Sequence, residues 1–310
     1  MTPLVTIVIP CFNNGQWLRQ AIGSALAQTW PALEVIVVDD GSTDDSRAVA
    51  AGFGENVRAF STDHLGAPHA RNHALAQARG EWVQFLDADD YLEPEKIAQQ
   101  FAETNGGADA DVIYSPVWWE TWRGDKAVER SASALATERD LFTQWLTWEL
   151  PQTGGCLWRK SALEKIGGWK ADQPCCQEHE LYLRALQAGL RFAFAPTPHA
   201  VYRLWSEGTL CRKNPRQVIE VKTTLIESLR EWMQARSLWT GAHQRAAGAA
   251  CFEMSRTFAK EDLADATRYH AARRASGLIR LDGPAAPAPY RLMYQLLGFA
   301  NAERIARWLR

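Results

Sequence analysis

Several things are scarce in this 310-residue chain, and each scarcity removes a class of function. No apolar run approaches the ~20 residues that a membrane-spanning helix needs. The first apolar stretch, LVTIVI, has neither a basic flank nor a small-residue cleavage site, so a strand is expected there rather than a leader. Cys11, Cys156, Cys175, Cys176, Cys211 and Cys251 are scattered, without CxxC spacing. Reduced thiols in a cytoplasmic protein are expected from that pattern, and a zinc site is not. There is no GxGxxG and no GxxxxGKS, so no glycine-rich loop cradles a phosphate. An excess of one charge is missing too: 34 Lys and Arg stand against 36 Asp and Glu. That balance does not advertise a nucleic-acid partner.

What remains is an ordinary globular composition, 46% apolar and 23% charged, arranged in an alternating pattern. Leu4 to Ile9 reads as a strand. Trp17, Leu18, Ala21, Ile22, Ala25 and Leu26 recur at helical spacing, with Asn13 or Asn14 as candidate caps. Val35 to Val38 and Val57 to Phe60 read as further strands. GAPHARNHALAQARG reads as a helix stopped by Gly80, and Trp82 to Leu86 as a fourth strand. Apolar strands interleaved with helices imply an α/β fold with a mostly parallel sheet covered on both faces. Residues 116–210 are less regular and hold eight of the fourteen tryptophans. From about 215 the pattern turns helical; GPAAPAP is a linker, and a last helix is expected over Tyr290 to Arg310. The expected division is 1–115, then 116–210 completing the same domain, then a helical region over 211–310.

The fourth strand runs straight into Asp87, Asp89 and Asp90, in EWVQFLDADDYLEP. Like charges this close raise one another's pKa unless a cation sits among them. In an open parallel sheet, ligands bind outside the carboxyl ends of the strands. Three such ends carry polar clusters here: PCFNN, DDGSTDD and DADD. Asp-Gly-Ser alone is ordinary turn chemistry, and acid clusters on loops are commonly solvated. Three in register at one edge favour a site. Carboxylates facing a phosphate need a bridging cation, and oxygen donors on both sides select a hard one, Mg²⁺ or Mn²⁺.

VTIVIPCFNNGQWLRQAIGSALAQTWPALEVIVVDDGSTDDS, followed by GAPHARNHALAQARGEWVQFLDADD, resembles the nucleotide-binding half of the family 2 glycosyltransferases of GT-A fold. The resemblance is close over about the first 95 residues and looser to about residue 205. It implies a Rossmann-like GT-A sheet in which Pro10 and Phe12 line the nucleotide, with Phe12 packed on the base. Asp40, supported by Asp39, would accept the imide hydrogen of uracil or thymine, and Arg71 would contact base or phosphate. Asp87 and Asp89 would form the DXD motif, Asp89 as the direct metal ligand and Asp87 nearer the ribose. The implied activity is metal-dependent, inverting transfer of a sugar from a UDP- or dTDP-activated donor to a hydroxyl of a glycan or lipid-linked glycan.

A general base is sought in CCQEHELYLRALQAG, where Leu181, Leu183, Leu186 and Leu190 give a helical apolar face and put Glu178 at the helix start. The plain reading is an acid favoured by the helix dipole, worth ~0.3–1 kcal/mol. The stretch also resembles the family's ED segment. Six residues back from Arg184, Glu178 takes the position of the catalytic acid, as a glutamate where aspartate is usual; Glu180 is the fallback. TGGCLWRKSALEKIGGWK resembles the segment that brings acceptor and donor sugar together. VYRLWSEGT resembles YRxHxxS, but Trp205 stands where the histidine would be, so any role of that histidine is not carried over.

Other features weigh less. His69 and His73 lie four apart without the glutamate of HExxH, and packing outweighs a metal pair. Vicinal Cys175 and Cys176 read as incidental. Trp118, Trp119, Trp122 and Trp158 are candidates to line an acceptor groove, since sugars stack on aromatic faces, although such residues are more often core. The last helix pairs Arg291, Arg304, Arg307 and Arg310 with apolar residues. An anionic membrane at the inner face, the domain itself or a second copy would cover such a surface. The rival functions are a sugar-nucleotide nucleotidyltransferase, which would need a basic glycine-rich first loop, and a silent nucleotide- or glycan-binding module, against which Asp87, Asp89 and Glu178 argue.

Overall fold

The computed structural model describes residues 2–135, 137–205 and 214–308. The early apolar runs form β1 (Val5–Cys11), β2 (Leu33–Asp39), β3 (Arg58–Ser61) and β4 (Trp82–Phe85). β-Branched side chains pack well on a pleated surface, and no residue of β1, β2 or β4 is exposed. Later come β5 (Tyr91–Leu92), β6 (Val112–Tyr114), β7 (Val117–Arg123), β8 (Lys126–Ala132), β9 (Cys156–Arg159), β10 (Phe192–Phe194) and β11 (Ala200–Leu204). They build a seven-stranded sheet ordered β10-β6-β9-β4-β1-β2-β3 and a four-stranded one ordered β5-β11-β7-β8.

β1 runs parallel to β2 and to β4, with Cys11 opposite Asp39 and Val8 opposite Phe85. The three strand ends with polar clusters therefore leave the sheet at one edge. The sheet is mixed, because β9 lies antiparallel to both β4 and β6.

Helices α1 (Gly15–Leu26), α2 (Ser46–Ala51), α3 (Ala67–Gln77) and α4 (Lys96–Glu103) follow the early strands, and α5 (Leu141–Leu146), α6 (Lys160–Lys165) and α7 (Gln177–Gln187) lie further on. Val5, Ile7, Ile9 and Cys11 alternate onto one face of β1 and share a core with Leu18, Ala21, Ile22 and Ala25 of α1. Each such Ile or Leu contributes about 1.5–3 kcal/mol by leaving water.

By internal packing the chain divides into two compact units, 1–135 with 150–207, and 136–149 with 208–310. The first holds both sheets. The second is helical: α5, then α8 (Pro215–Gln234), α9 (Gly241–Glu261), α10 (Leu263–Ala275) and α11 (Ala288–Trp308). Asn214 caps α8 by accepting from Gln217 N at 3.1 Å, and Asp262 divides α9 from α10 by accepting from Asp265 N at 2.9 Å. The last helix is not one rod: Gly298, at φ 74°, breaks α11, a conformation that glycine adopts without a Cβ clash. Among the described residues, no helix is long and apolar enough to cross a membrane.

Candidate active site

The loops after β1 and β2 are zipped together. Asn13 N donates to Ser42 Oγ at 2.9 Å, Asn14 N to Ser46 Oγ at 3.1 Å, and Gly15 N to Asp44 Oδ2 at 3.0 Å. Asn14 is the N-cap of α1 by position, but its side chain makes no capping bond. The second loop performs that work, and a Cβ on Gly15 would lie 2.0 Å from Asp45 Oδ1. Much of the DDGSTDD polarity is thus spent on holding the first loop.

Pro10 is buried in β1, and Phe12 stands 42% exposed just beyond it. The Phe12 ring stacks on His64 at 3.9 Å and 27°. Asp40 is buried beneath, and both its oxygens accept hydrogen bonds. Thr62 Oγ1 donates at 2.7 Å, Leu65 N at 2.9 Å and Gly66 N at 2.7 Å. Burial alone would raise its pKa, but these donors outweigh that and hold the carboxyl below the usual carboxylate range. Asp40 therefore holds the loop that carries His64 and, with two donors on Oδ1 and one on Oδ2, keeps one acceptor site. Asp39 differs: its Oδ2 accepts from Arg47, while its buried Oδ1 has no hydrogen-bond partner.

The acid turn is the electrostatic opposite. Asp87 accepts from Arg71 Nη2 at 2.6 Å. The Asp89 carboxyl is pushed up, first by burial and then by the charge on Asp87, with the Trp205 N–H pulling the other way. Asp90, fully enclosed, is raised further by burial and by both neighbours. Among the described residues no cluster of three His, Cys, Asp or Glu could hold a metal. The donor set fits Mg²⁺ or Mn²⁺ all the same, since these take one or two carboxylates and fill their remaining positions with phosphate oxygens and water.

Arg71 joins this turn to the next element. Buried at 4% exposure, it lies 4.4 Å over Trp169, and its Nη1 donates to Gln177 Oε1 at 3.0 Å. Gln177 opens α7, so the same guanidinium ties Asp87 to the turn that presents Glu178. Glu178 is half-buried, and its Oε1 accepts from Thr153 Oγ1 at 2.7 Å. Glu180 is otherwise engaged: buried, it forms a two-pronged ion pair with Arg184, both bonds 2.7 Å.

Some candidates fall elsewhere. Trp158 is 1% exposed and stacked on Tyr182 at 9°, so it belongs to the core and not to a groove. His73 packs against Phe60. Cys175 and Cys176 are buried; Cys211 lies outside the described residues. Sequence reasoning missed the contacts of His64, Thr153 and Trp205. His64 carried no signal. Trp205 did, as the residue where a family pattern departed, although its partner Asp89 could not be guessed.

A sequence model described as Glycosyl transferase family 2 matches residues 6–167. An uncharacterized glycosyltransferase of Rickettsia typhi is 38% identical over 112 residues, 36% of this chain and 35% of that protein. One from Nostoc is 32% identical over 176 residues, 52% of each. The chain thus matches about a third to a half of the length of these relatives. Among solved structures, S. aureus TarS 1–349 in complex with UDP-GlcNAc superposes with a TM-score of 0.67 at 18% identity, over 98% of this chain and 88% of that one. Mannosyltransferase PcManGT from Pyrobaculum calidifontis, in complex with GDP-Man and Mn²⁺, gives 0.56 at 18%, over 98% and 87%. At such identities the likeness is one of fold.

Proposed function

The chain belongs to glycosyl transferase family 2, and from that premise we propose a metal-dependent, inverting glycosyltransferase. Its donor is a UDP- or dTDP-sugar, and its acceptor a hydroxyl of a glycan or lipid-linked glycan. One observation carries the reading: Arg71 donates to both Asp87 and Gln177, linking the acid turn to the helix start that holds Glu178. Leaving-group and base functions would then share one rigid support.

Phe12 offers its exposed ring to the base. Asp40, with Asp39 in support, takes the imide hydrogen, while the bonds of Asp40 to its own loop keep the Phe12–His64 platform in place. Asp89, with Asp87, would hold Mn²⁺ or Mg²⁺, which when bound neutralises the leaving diphosphate as a Lewis acid. Thr153 fixes Oε1 of Glu178 and leaves Oε2 to take the proton of the attacking hydroxyl. The new glycosidic bond forms on the face opposite the departing diphosphate, so the anomeric configuration inverts.

The test is release of nucleoside diphosphate from a panel of activated sugars, with and without Mn²⁺. Glu178→Gln should lower turnover by about 10²–10⁴-fold at unchanged nucleotide affinity. Equal turnover in variant and wild type removes the base assignment, and release of pyrophosphate points instead to nucleotidyl transfer.

A peripheral place at the inner membrane face, where a lipid-linked acceptor resides, is the second part of the proposal. Leu292, Leu296, Leu297 and Trp308 are exposed on α11 beside Arg291, Arg304 and Arg307, whereas Glu303 turns inward onto Arg256 at 2.6 Å. Exposed apolar and basic side chains without an exposed acid suit an anionic bilayer. Flotation with anionic vesicles should lose the protein when the chain is ended at Gly283; unchanged binding rejects the anchor.

A further inference from the structure

β11 ends against the acid turn through three hydrogen bonds. Arg203 N donates to Asp90 Oδ1 at 2.8 Å, the Arg203 guanidinium donates to the Asp89 carbonyl, and Trp205 Nε1 donates to Asp89 Oδ2 at 2.9 Å. The first two hold a neighbour and the backbone. Among the described residues, Trp205 alone places a side-chain donor on the Asp89 carboxylate itself.

The indole, 37% exposed, lies 5.8 Å from Trp17, which meets Trp122 edge-on at 5.2 Å. The Arg203 guanidinium covers Trp17 at 4.0 Å and Trp122 at 4.6 Å. Trp205 thus has Asp89 at its N–H and the Trp17 ring of α1 beside it. Indole has one donor and no lone pair to offer, so Trp205 cannot itself ligate a cation. It can only fix the group that does.

We propose that Trp205 is a positioning residue: its N–H engages Oδ2 of Asp89 and so presents Oδ1, in a single rotamer, to the divalent cation. The proposal rests on the assignment of Asp89 as metal ligand made above. Donors that orient a ligating group in this way typically govern 10- to 100-fold of metal affinity. A packing role alone would be met by phenylalanine, which keeps the ring beside Trp17 and lacks the N–H.

The test is Mn²⁺ binding to the full chain, read from the magnetic resonance signal of the free ion. Wild type, Trp205→Phe and Asp89→Asn are compared. Trp205→Phe should bind Mn²⁺ about 10- to 100-fold more weakly, with its affinity for UDP in metal-free buffer unchanged. A phenylalanine variant that binds Mn²⁺ like wild type overturns the proposal. Loss of metal-free UDP affinity in step with Mn²⁺ would mark general damage and also overturn it. If Asp89→Asn binds Mn²⁺ as tightly as wild type, the ligand assignment itself fails, an outcome separate from the two above.

Discussion

Two acidic strand ends share one sheet edge, and their electrostatics run in opposite directions. After β2, Asp40 receives donors from Thr62, Leu65 and Gly66, and its pKa is lowered. After β4, half-buried Asp89 and buried Asp90 lie beside Asp87, and their pKa values are raised. Burial pushes all three upward; three donors outweigh it at Asp40, whereas neighbouring like charges add to it at Asp89 and Asp90. The first aspartate is held charged by its own loop, and the other two sit among like charges with fewer donors.

The sharpest way to break this contrast is Asp89→Asn. If the acid turn serves a metal-bound diphosphate, loss of several kcal/mol of charge stabilisation should cut turnover by about 10²-fold or more. Sugar transfer at near-wild-type rate in a coupled assay would make the two ends functionally alike.

Next comes stability. Asp40→Asn turns an NH₂ toward backbone donors and should cost about 1–3 kcal/mol in urea melts. Asp90→Asn keeps an oxygen for Arg203 N and should change stability by less than about 1 kcal/mol. Equal losses at the two positions would erase the distinction.

The smallest effect is in pH. The folded pKa of Asp40 lies below its unfolded value, so its contribution is present above about pH 4 and is lost as pH falls through the folded value. Asp89 and Asp90 lie above theirs. Acidification from neutrality through their folded values therefore adds stability, complete near the unfolded value of about 4. Wild type should gain, or lose less, on going from pH 7 to about 5, and Asp90→Asn should lack part of that gain. A variant curve parallel to wild type would contradict the raised values.

Much of this edge was legible before any coordinates. Apolar runs in β1, β2 and β4 are long enough to mark strands, and each polar cluster begins where a run stops. Position in sequence therefore predicted position in space. The different bonding of Asp39 and Asp40 was not legible, because two adjacent aspartates differ only in the donors that distant residues bring to each: 62–66 to one and Arg47 to the other. Trp205 lies more than a hundred residues from Asp89 and reaches it through the second sheet, whose pairing of β11 with β5 and β7 leaves no local signal. Glu180 was readable: its spacing from Arg184 is that of a helical ion pair, which local rules favour over a free base. Gly298 sat inside an amphipathic pattern, and the pattern concealed the break.

The antiparallel β9 has one more consequence. It fills the slot between β4 and β6, and Gln84 of β4 also donates to the Gly154 carbonyl just before it. Any nascent or truncated polypeptide ending short of Cys156 therefore has two raw edges in the middle of its sheet, open to wrong partners. The first 115 residues hold β4 and β6 but not the strand that lies between them. The strand that completes them is synthesised some forty residues later.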